Sequence, residues 1–298
     1  MKKRTITGVL LALFVTPFVV FGTHFIALFV LLVMCLGIYE LLDIKRKANM
    51  DKIPLYVFAL SMVFGFLLIF DIPNISMYAF DYKNGILPNY GVNTLWLILF
   101  LISLLSSSVF DKKYSIMDAV YTFATVTFLS LGLKGMLYLR SFGGVTNINE
   151  GTLLLLYVLI TTCITDIFAY FGGMTCYRIL GTSRVHKLNE RISPKKTIEG
   201  TLVGTIFGTG LGFLYMMLVF KNHNLLSYGW YWYLILSLLI SISGQIGDLI
   251  LSAIKRYFNV KDYSSLLPGH GGVLDRIDSM LVNFMIVAIF MSLLTYII

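Results

Sequence analysis

Long apolar runs separated by short polar segments fill the chain from end to end. A bilayer core about 30 Å thick needs about 20 apolar residues per spanning helix. Runs of roughly that length lie near residues 5–22, 24–43, 53–70, 94–110, 116–138, 151–175, 200–220, 229–251 and 279–298. The pattern predicts an all-α polytopic integral membrane protein with about nine transmembrane helices. Met1-Lys2-Lys3-Arg4 ahead of the first run resembles the start of a secretory signal, but no small-residue cleavage site follows and the next run begins almost at once. The first run therefore reads as a span. Pro73, Pro88 and scattered Asn and Gly mark 71–93 as an outer loop.

Composition agrees: 58% hydrophobic residues, 13% charged and a mean hydropathy of +0.84 cannot be hidden in one water-soluble core. The net charge of +8 raises the question of nucleic acid, and its distribution answers it. With the N-terminus inside, nineteen of the 23 Lys and Arg fall on cytoplasmic segments, while Lys83, Arg140 and Lys221 fall outside and Lys134 within a span. That asymmetry is the positive-inside rule, which places the C-terminus outside and leaves no basic surface to assign to nucleic acid. Cys35, Cys163 and Cys176 lie in or at the ends of apolar runs without metal or redox spacing, and read as packing residues.

The chain divides by character. Residues 1–150 form an N-terminal transmembrane region with no recognisable chemical constellation. Residues 151–298 form a transmembrane region whose cytoplasmic loops, 176–199 and 252–278, carry the polar chemistry. Gly200, Gly204, Gly208 and Gly212 make a small-residue stripe along one helical face, suited to close packing within the protomer or to a subunit interface.

Acids at membrane depth are expensive, which singles out Asp166 and Asp248. If the helix carrying Asp248 runs on past the membrane face, Asp248, Ser252 and Lys255 or Arg256 share one side of it. The following loop holds Lys261 and Asp262, then Leu267-Pro268-Gly269-His270-Gly271-Gly272, then Asp275-Arg276-Ile277-Asp278 at the entry of the last span. A Gly-rich run lets backbone N–H groups approach an anion. Paired carboxylates beside phosphate-binding cations suit Mg²⁺-assisted phosphoryl chemistry. These residues together predict a cytoplasmic nucleotide-phosphate site at a membrane surface.

The stretch Ser252 to Asp278, SAIKRYFNVKDYSSLLPGHGGVLDRID, closely resembles the signature of phosphatidate cytidylyltransferases: Ser, Lys-Arg, Lys-Asp, Pro-x-His-Gly-Gly and Asp-Arg-x-Asp at fixed intervals. Ser193-Pro194-Lys195-Lys196-Thr197-Ile198-Glu199-Gly200 and Asp166-Ile167-Phe168-Ala169-Tyr170-Phe171-Gly172-Gly173 extend the resemblance over about 160–278, while the N-terminal half resembles the family in hydropathy only. The resemblance implies transfer of CMP from CTP to phosphatidate, giving CDP-diacylglycerol and pyrophosphate without an enzyme nucleophile or an essential general base. It implies catalytic roles for Asp248, Lys255, Asp275 and Asp278, with Mg²⁺ held by Asp248, Asp275 and Asp278 and K⁺ as a second cation. Asp166 is a further ligand or an internal hydrogen-bond partner. The resemblance implies substrate contacts at Lys195, Lys196, Ser252, Arg256, Lys261, His270, Gly271, Gly272 and Arg276; by themselves Lys195 and Lys196 also read as a topology signal, Ser252 as a packing residue and His270 as a turn residue between glycines. A helix opened by Ser193 and Pro194 is expected to present its N-terminus to the phosphates. The resemblance further implies a homodimer in a bacterial cell membrane, with membrane lipid as its surroundings. A transporter is the main rival, but it predicts charges near the midplane and broken helices, whereas these charges cluster at cytoplasmic ends and on loops. The Asp-Gly and Ala-Arg pattern of CDP-alcohol phosphotransferases is not found.

Overall fold

The computed structural model describes residues 13–18, 22–48, 50–70, 90–142, 149–181, 185–220, 229–267, 269 and 271–297. Eight long helices account for most of them: α1 (Thr23–Lys47), α2 (Leu55–Ile69), α3 (Tyr90–Phe110), α4 (Ile116–Ser141), α5 (Asn149–Leu180), α6 (Ile198–Val219), α7 (Trp230–Tyr257) and α8 (Leu274–Ile297). Each coincides with one of the last eight predicted apolar runs. The run near 5–22 is described only at 13–18, which are helical, and at Gly22, and the outer loop predicted at 71–93 lies outside the described residues as far as 89. Among the described residues six helices are long and apolar enough to cross a membrane, while Leu55–Ile69 and Thr94–Phe110 are shorter apolar helices. The chain is thus a nearly all-α, polytopic integral membrane protein.

Helix α4 lies at the centre, against α1, α2, α3 and α8. Its start is set by a capping box, in which the Ser115 side chain accepts from Asp118 N and the Asp118 side chain accepts from Ser115 N. Asp118 also takes an ion pair from Lys45 of α1 at 2.5 Å. Glycines allow α4 to meet α8 backbone to backbone: a Cβ on Gly135 would stand 2.6 Å from the Phe284 carbonyl oxygen. The N-terminal region is therefore packed directly on the helix that carries Asp275 and Asp278.

The Gly200–Gly212 stripe of α6 faces α5 of the same chain. A Cβ on Gly200 would meet the Ala169 carbonyl at 2.6 Å, and one on Gly204 would meet the Thr165 carbonyl at 2.7 Å. Since these obstacles are backbone, only a shift of the whole helix relieves them. Gly204→Ala is expected to cost about 1–3 kcal/mol of stability, read as earlier thermal unfolding in detergent; an unchanged unfolding temperature would refute this packing.

One expectation is corrected. Residues 193–197 form not the start of a helix but strand β2 (Ser193–Thr197), paired antiparallel with β1 (Lys187–Asn189) in a small hairpin. Pro194 sits on the outer strand of this two-stranded sheet, where its missing N–H costs nothing. The helix begins four residues later, with Thr197 as N-cap accepting from Gly200 N at 3.0 Å.

Candidate active site

Two helices outreach the bilayer. At about 1.5 Å per residue, the 32 residues of α5 and the 28 of α7 are longer than a hydrocarbon core requires. Their C-terminal halves carry Asp166 and Asp248, the acids that membrane depth would penalise. Between the end of α5, the hairpin, the start of α6 and the middle of α7 lies a cleft of ≈ 610 Å³ lined by Asp166, Tyr170, Tyr177, Arg178, Lys187, Lys195, Lys196, Thr197, Thr201, Gln245 and Asp248. That volume falls within the range of about 300–1,000 Å³ usual for small-molecule sites.

Asp248 is the acid at the junction. Its Oδ1 accepts from Ser252 Oγ at 3.1 Å, one helical turn along α7, and its Oδ2 pairs with Lys196 Nζ from the hairpin. The same Lys196 charge acts on Asp166. Asp278 of α8 feels the charges of Asp248, Lys255 and Asp166, and its Oδ1 accepts from Ser279 N at 2.9 Å. Ser279 Oγ lies 3.2 Å from Asp166 Oδ2 and 3.4 Å from Asp278 Oδ1, so one hydroxyl ties the two acids together. Asp166, Asp248 and Asp278 therefore form one acidic neighbourhood, contributed by α5, α7 and α8, with Lys196 and Lys255 as its counter-charges.

Asp275 is placed differently from the other three. Its side chain is 3% exposed, its Oδ1 accepts from Lys255 Nζ at 2.7 Å, and its Oδ2 accepts from Tyr263 N and Gly272 N, each at 2.9 Å. Lys255 also lies over the Tyr263 ring, 5.4 Å from its centroid. Tyr263 itself is buried and donates its hydroxyl to the Leu251 carbonyl at 3.0 Å. Burial pushes that phenol well above its ordinary range, so it stays neutral. Two carboxylates three residues apart thus have different tasks: Asp275 gathers the loop, and Asp278 faces the acids of α5 and α7.

The Gly-rich loop is organised from within. Leu267 and Gly271 exchange two backbone hydrogen bonds around a tight turn, with φ of 78° at Gly269 and 83° at Gly271. Such positive φ values favour glycine. The N–H of Gly271 goes to the Leu267 carbonyl and that of Gly272 to Asp275, so both are satisfied by the chain's own acceptors. His270 and Pro268 lie outside the described residues. Arg256 donates Nε to the Ile192 carbonyl and Nη1 to the Val260 carbonyl, both at 3.1 Å, tying the hairpin to the end of α7. Lys261 and Arg276 are exposed on the loop and at the start of α8, and neither lines the cleft.

Sequence reasoning passed over Arg178, Lys187, Thr197, Thr201, Gln245 and the two tyrosines as site residues. Arg178 and Lys187 were visible only as topology charges. Lys187 donates to the Pro194 carbonyl at 2.7 Å and stands over the Tyr177 ring at 4.9 Å, which holds its charge at the cleft's edge. Among the described residues no three His, Cys, Asp or Glu side chains close around a single metal position.

Comparison with known proteins covers nearly the whole chain. Residues 2–294 match the cytidylyltransferase family. A phosphatidate cytidylyltransferase of Staphylococcus haemolyticus (strain JCSC1435) is 33% identical over 281 residues, 94% of each chain. Those of Bacillus subtilis (strain 168) and Staphylococcus aureus (strain COL) are 31% and 30% identical over 284 and 282 residues, again 94% of each chain. With a cleft that brings basic and acidic side chains together between α5, the hairpin, α6 and α7, and with this similarity along its length, the chain belongs to the cytidylyltransferase family.

Proposed function

We propose that the chain transfers CMP from CTP to phosphatidate, producing CDP-diacylglycerol for phospholipid synthesis. The observation that carries this reading is the cleft itself, which is lined by Lys187, Lys195, Lys196 and Arg178 together with Asp166 and Asp248, on and between helices long enough to cross a membrane. A polyphosphate needs several cations to be held, and a lipid phosphate needs them at the membrane surface. A phosphatidate oxygen attacks the α-phosphorus of CTP; the new P–O bond forms as the bond to the β-phosphate bridging oxygen breaks, and pyrophosphate leaves with that electron pair. The attacking monoester is already anionic, so the chain's task is positioning and charge compensation.

The acids fit Mg²⁺, which is commonly held by one or two carboxylates and completed by substrate phosphates and water. Asp248 and Asp278 would hold it, with Asp166 as a third acid. When bound, Mg²⁺ neutralises the polyphosphate and the departing pyrophosphate. The second cation in this reading is K⁺, balancing the remaining acidic charge. Lys195, Lys196, Lys187 and Arg178 bind phosphate oxygens, Ser252 orients Asp248, and Lys255 is kept in place by Asp275. The enzyme works as a homodimer in a bacterial cell membrane with nine spans. Its N-terminus and active-site loops are cytoplasmic and its C-terminus is outside, in keeping with nineteen of 23 basic residues on one side.

The test is direct. Purified protein in detergent, given phosphatidate and labelled CTP, is expected to move label into the lipid phase with Mg²⁺ and not after chelation. Folded protein that transfers no label across a range of lipids and divalent ions would overturn the reading and favour transport.

A further inference from the structure

Glu40 lies in α1, far in sequence from the catalytic loop, and is 1% exposed. Its Oε1 accepts from Ser264 Oγ at 2.5 Å and Val273 N at 2.9 Å, and its Oε2 accepts from Leu274 N at 2.9 Å. Val273 and Leu274 open α8, whose first N–H groups have no partner within the helix. A cap normally comes from a Ser, Thr, Asp or Asn at the helix start; Val273 has no side-chain oxygen to give. Glu40 supplies the missing acceptor from another helix, and sets a negative charge at the positive end of α8. Seven residues further along α1, on the same face, Lys47 Nζ donates to the Tyr263 carbonyl. One face of α1 thus holds both ends of the loop between Tyr263 and Leu274.

Gly272 carries the imprint of this contact. A Cβ there would lie 2.6 Å from both Glu40 oxygens. The carboxylate is seated against the backbone so closely that only glycine leaves room for it.

We propose that Glu40 is a positioning residue for cytidylyl transfer: from the N-terminal region it fixes the start of α8, and with it the placement of Asp275 against Lys255 and of Asp278 beside Asp166 and Asp248. It touches no substrate, and the inference rests on the activity proposed above. It assigns the N-terminal region a part in the chemistry.

The experiment compares full-length wild type, Glu40→Gln, Gly272→Ala and Lys45→Met. Lys45→Met removes another α1 contact, the pair with Asp118, which does not reach the loop. In Glu40→Gln an amide NH₂ replaces one acceptor and faces N–H donors. Misplaced acids are expected to lower kcat by about 10²-fold, and to raise the Mg²⁺ concentration for half-maximal activity about tenfold or more. Amide hydrogen exchange over Tyr263–Leu274 should speed up about tenfold or more as the loop opens locally. Gly272→Ala, which forces the Glu40 carboxylate away while keeping it present, should reproduce all three effects. Lys45→Met should lower thermal stability and leave loop exchange and Mg²⁺ activation within twofold of wild type. Loop exchange and Mg²⁺ activation unchanged in Glu40→Gln, or altered as strongly in Lys45→Met, would overturn the proposal. Should wild type transfer no cytidylate, the activity reading fails on its own, and loop exchange still decides whether Glu40 holds α8.

Discussion

Asp248→Asn is expected to lower kcat for cytidylyl transfer about a thousand-fold while leaving the protein folded. The substitution keeps the side chain's shape and an oxygen for the Ser252 hydroxyl. What it removes is the charge that pairs Lys196 and interacts with Asp278. In the proposed site that charge holds the cation which compensates the polyphosphate, and deleting one group that stabilises developing charge typically costs about 10²–10³ in kcat. Asp248 and Lys196 are 24% and 27% exposed at the cleft; the Lys196 Nζ is buried but keeps the charge of Asp166 beside it, so neutralising Asp248 costs far less than breaking a sealed pair. Thermal unfolding should therefore move little. Steady-state kcat with a Mg²⁺ titration makes the measurement. Activity within tenfold of wild type at high Mg²⁺ would remove Asp248 from the cation site.

The eight long helices were legible in the sequence because lipid imposes a length and an apolarity that few other environments require. The hairpin was not. Ser193-Pro194 looks like a helix start, and the decision against it comes from pairing with Lys187–Asn189 and from Thr197, a β-branched residue that caps well from an extended backbone. The loop signature was legible as a set of residue types, but the roles within it were not. Asp275 and Asp278 are equivalent by spacing; what separates them is that Lys255, Tyr263 N and Gly272 N all converge on Asp275. Likewise Gly271 and Gly272 announce close approach to anions, and the structure shows two of those anions to be Asp275 and Glu40. Glu40 was within reach, since an acid inside an apolar run is a functional candidate by default. It was missed because no motif adjoins it in sequence. The visible resemblance ran over about 160–278, yet the family similarity runs over residues 2–294. A helix such as α1 whose contribution is one carboxylate and one amine carries little pattern of its own.

Asp275→Asn should behave unlike Asp248→Asn, losing activity through stability. The Lys255–Asp275 pair is nearly sealed, with side chains 9% and 3% exposed. A buried ion pair contributes little net stability over an apolar pair of similar size, but removing one partner typically costs about 3–5 kcal/mol because the other charge stays desolvated. In Asp275→Asn the remaining oxygen still accepts from Tyr263 N and Gly272 N, so the loss is dominated by the Lys255 ammonium. Lys255→Met added to Asp275→Asn takes both charges away and keeps that oxygen for the two N–H groups. The double variant is therefore expected to unfold at a temperature closer to wild type than Asp275→Asn alone, with a coupling energy of about 1–3 kcal/mol between the sites. Activity should not return with it, because the Lys255 charge that also acts on Asp248 and Asp278 is gone. Thermal unfolding in detergent and the lipid-phase assay, run on both single variants and the double, separate the two effects. If Asp275→Asn were instead as stable as wild type and inactive, its carboxylate would be a direct participant in the chemistry, and the division of labour between Asp275 and Asp278 derived from their burial would be wrong.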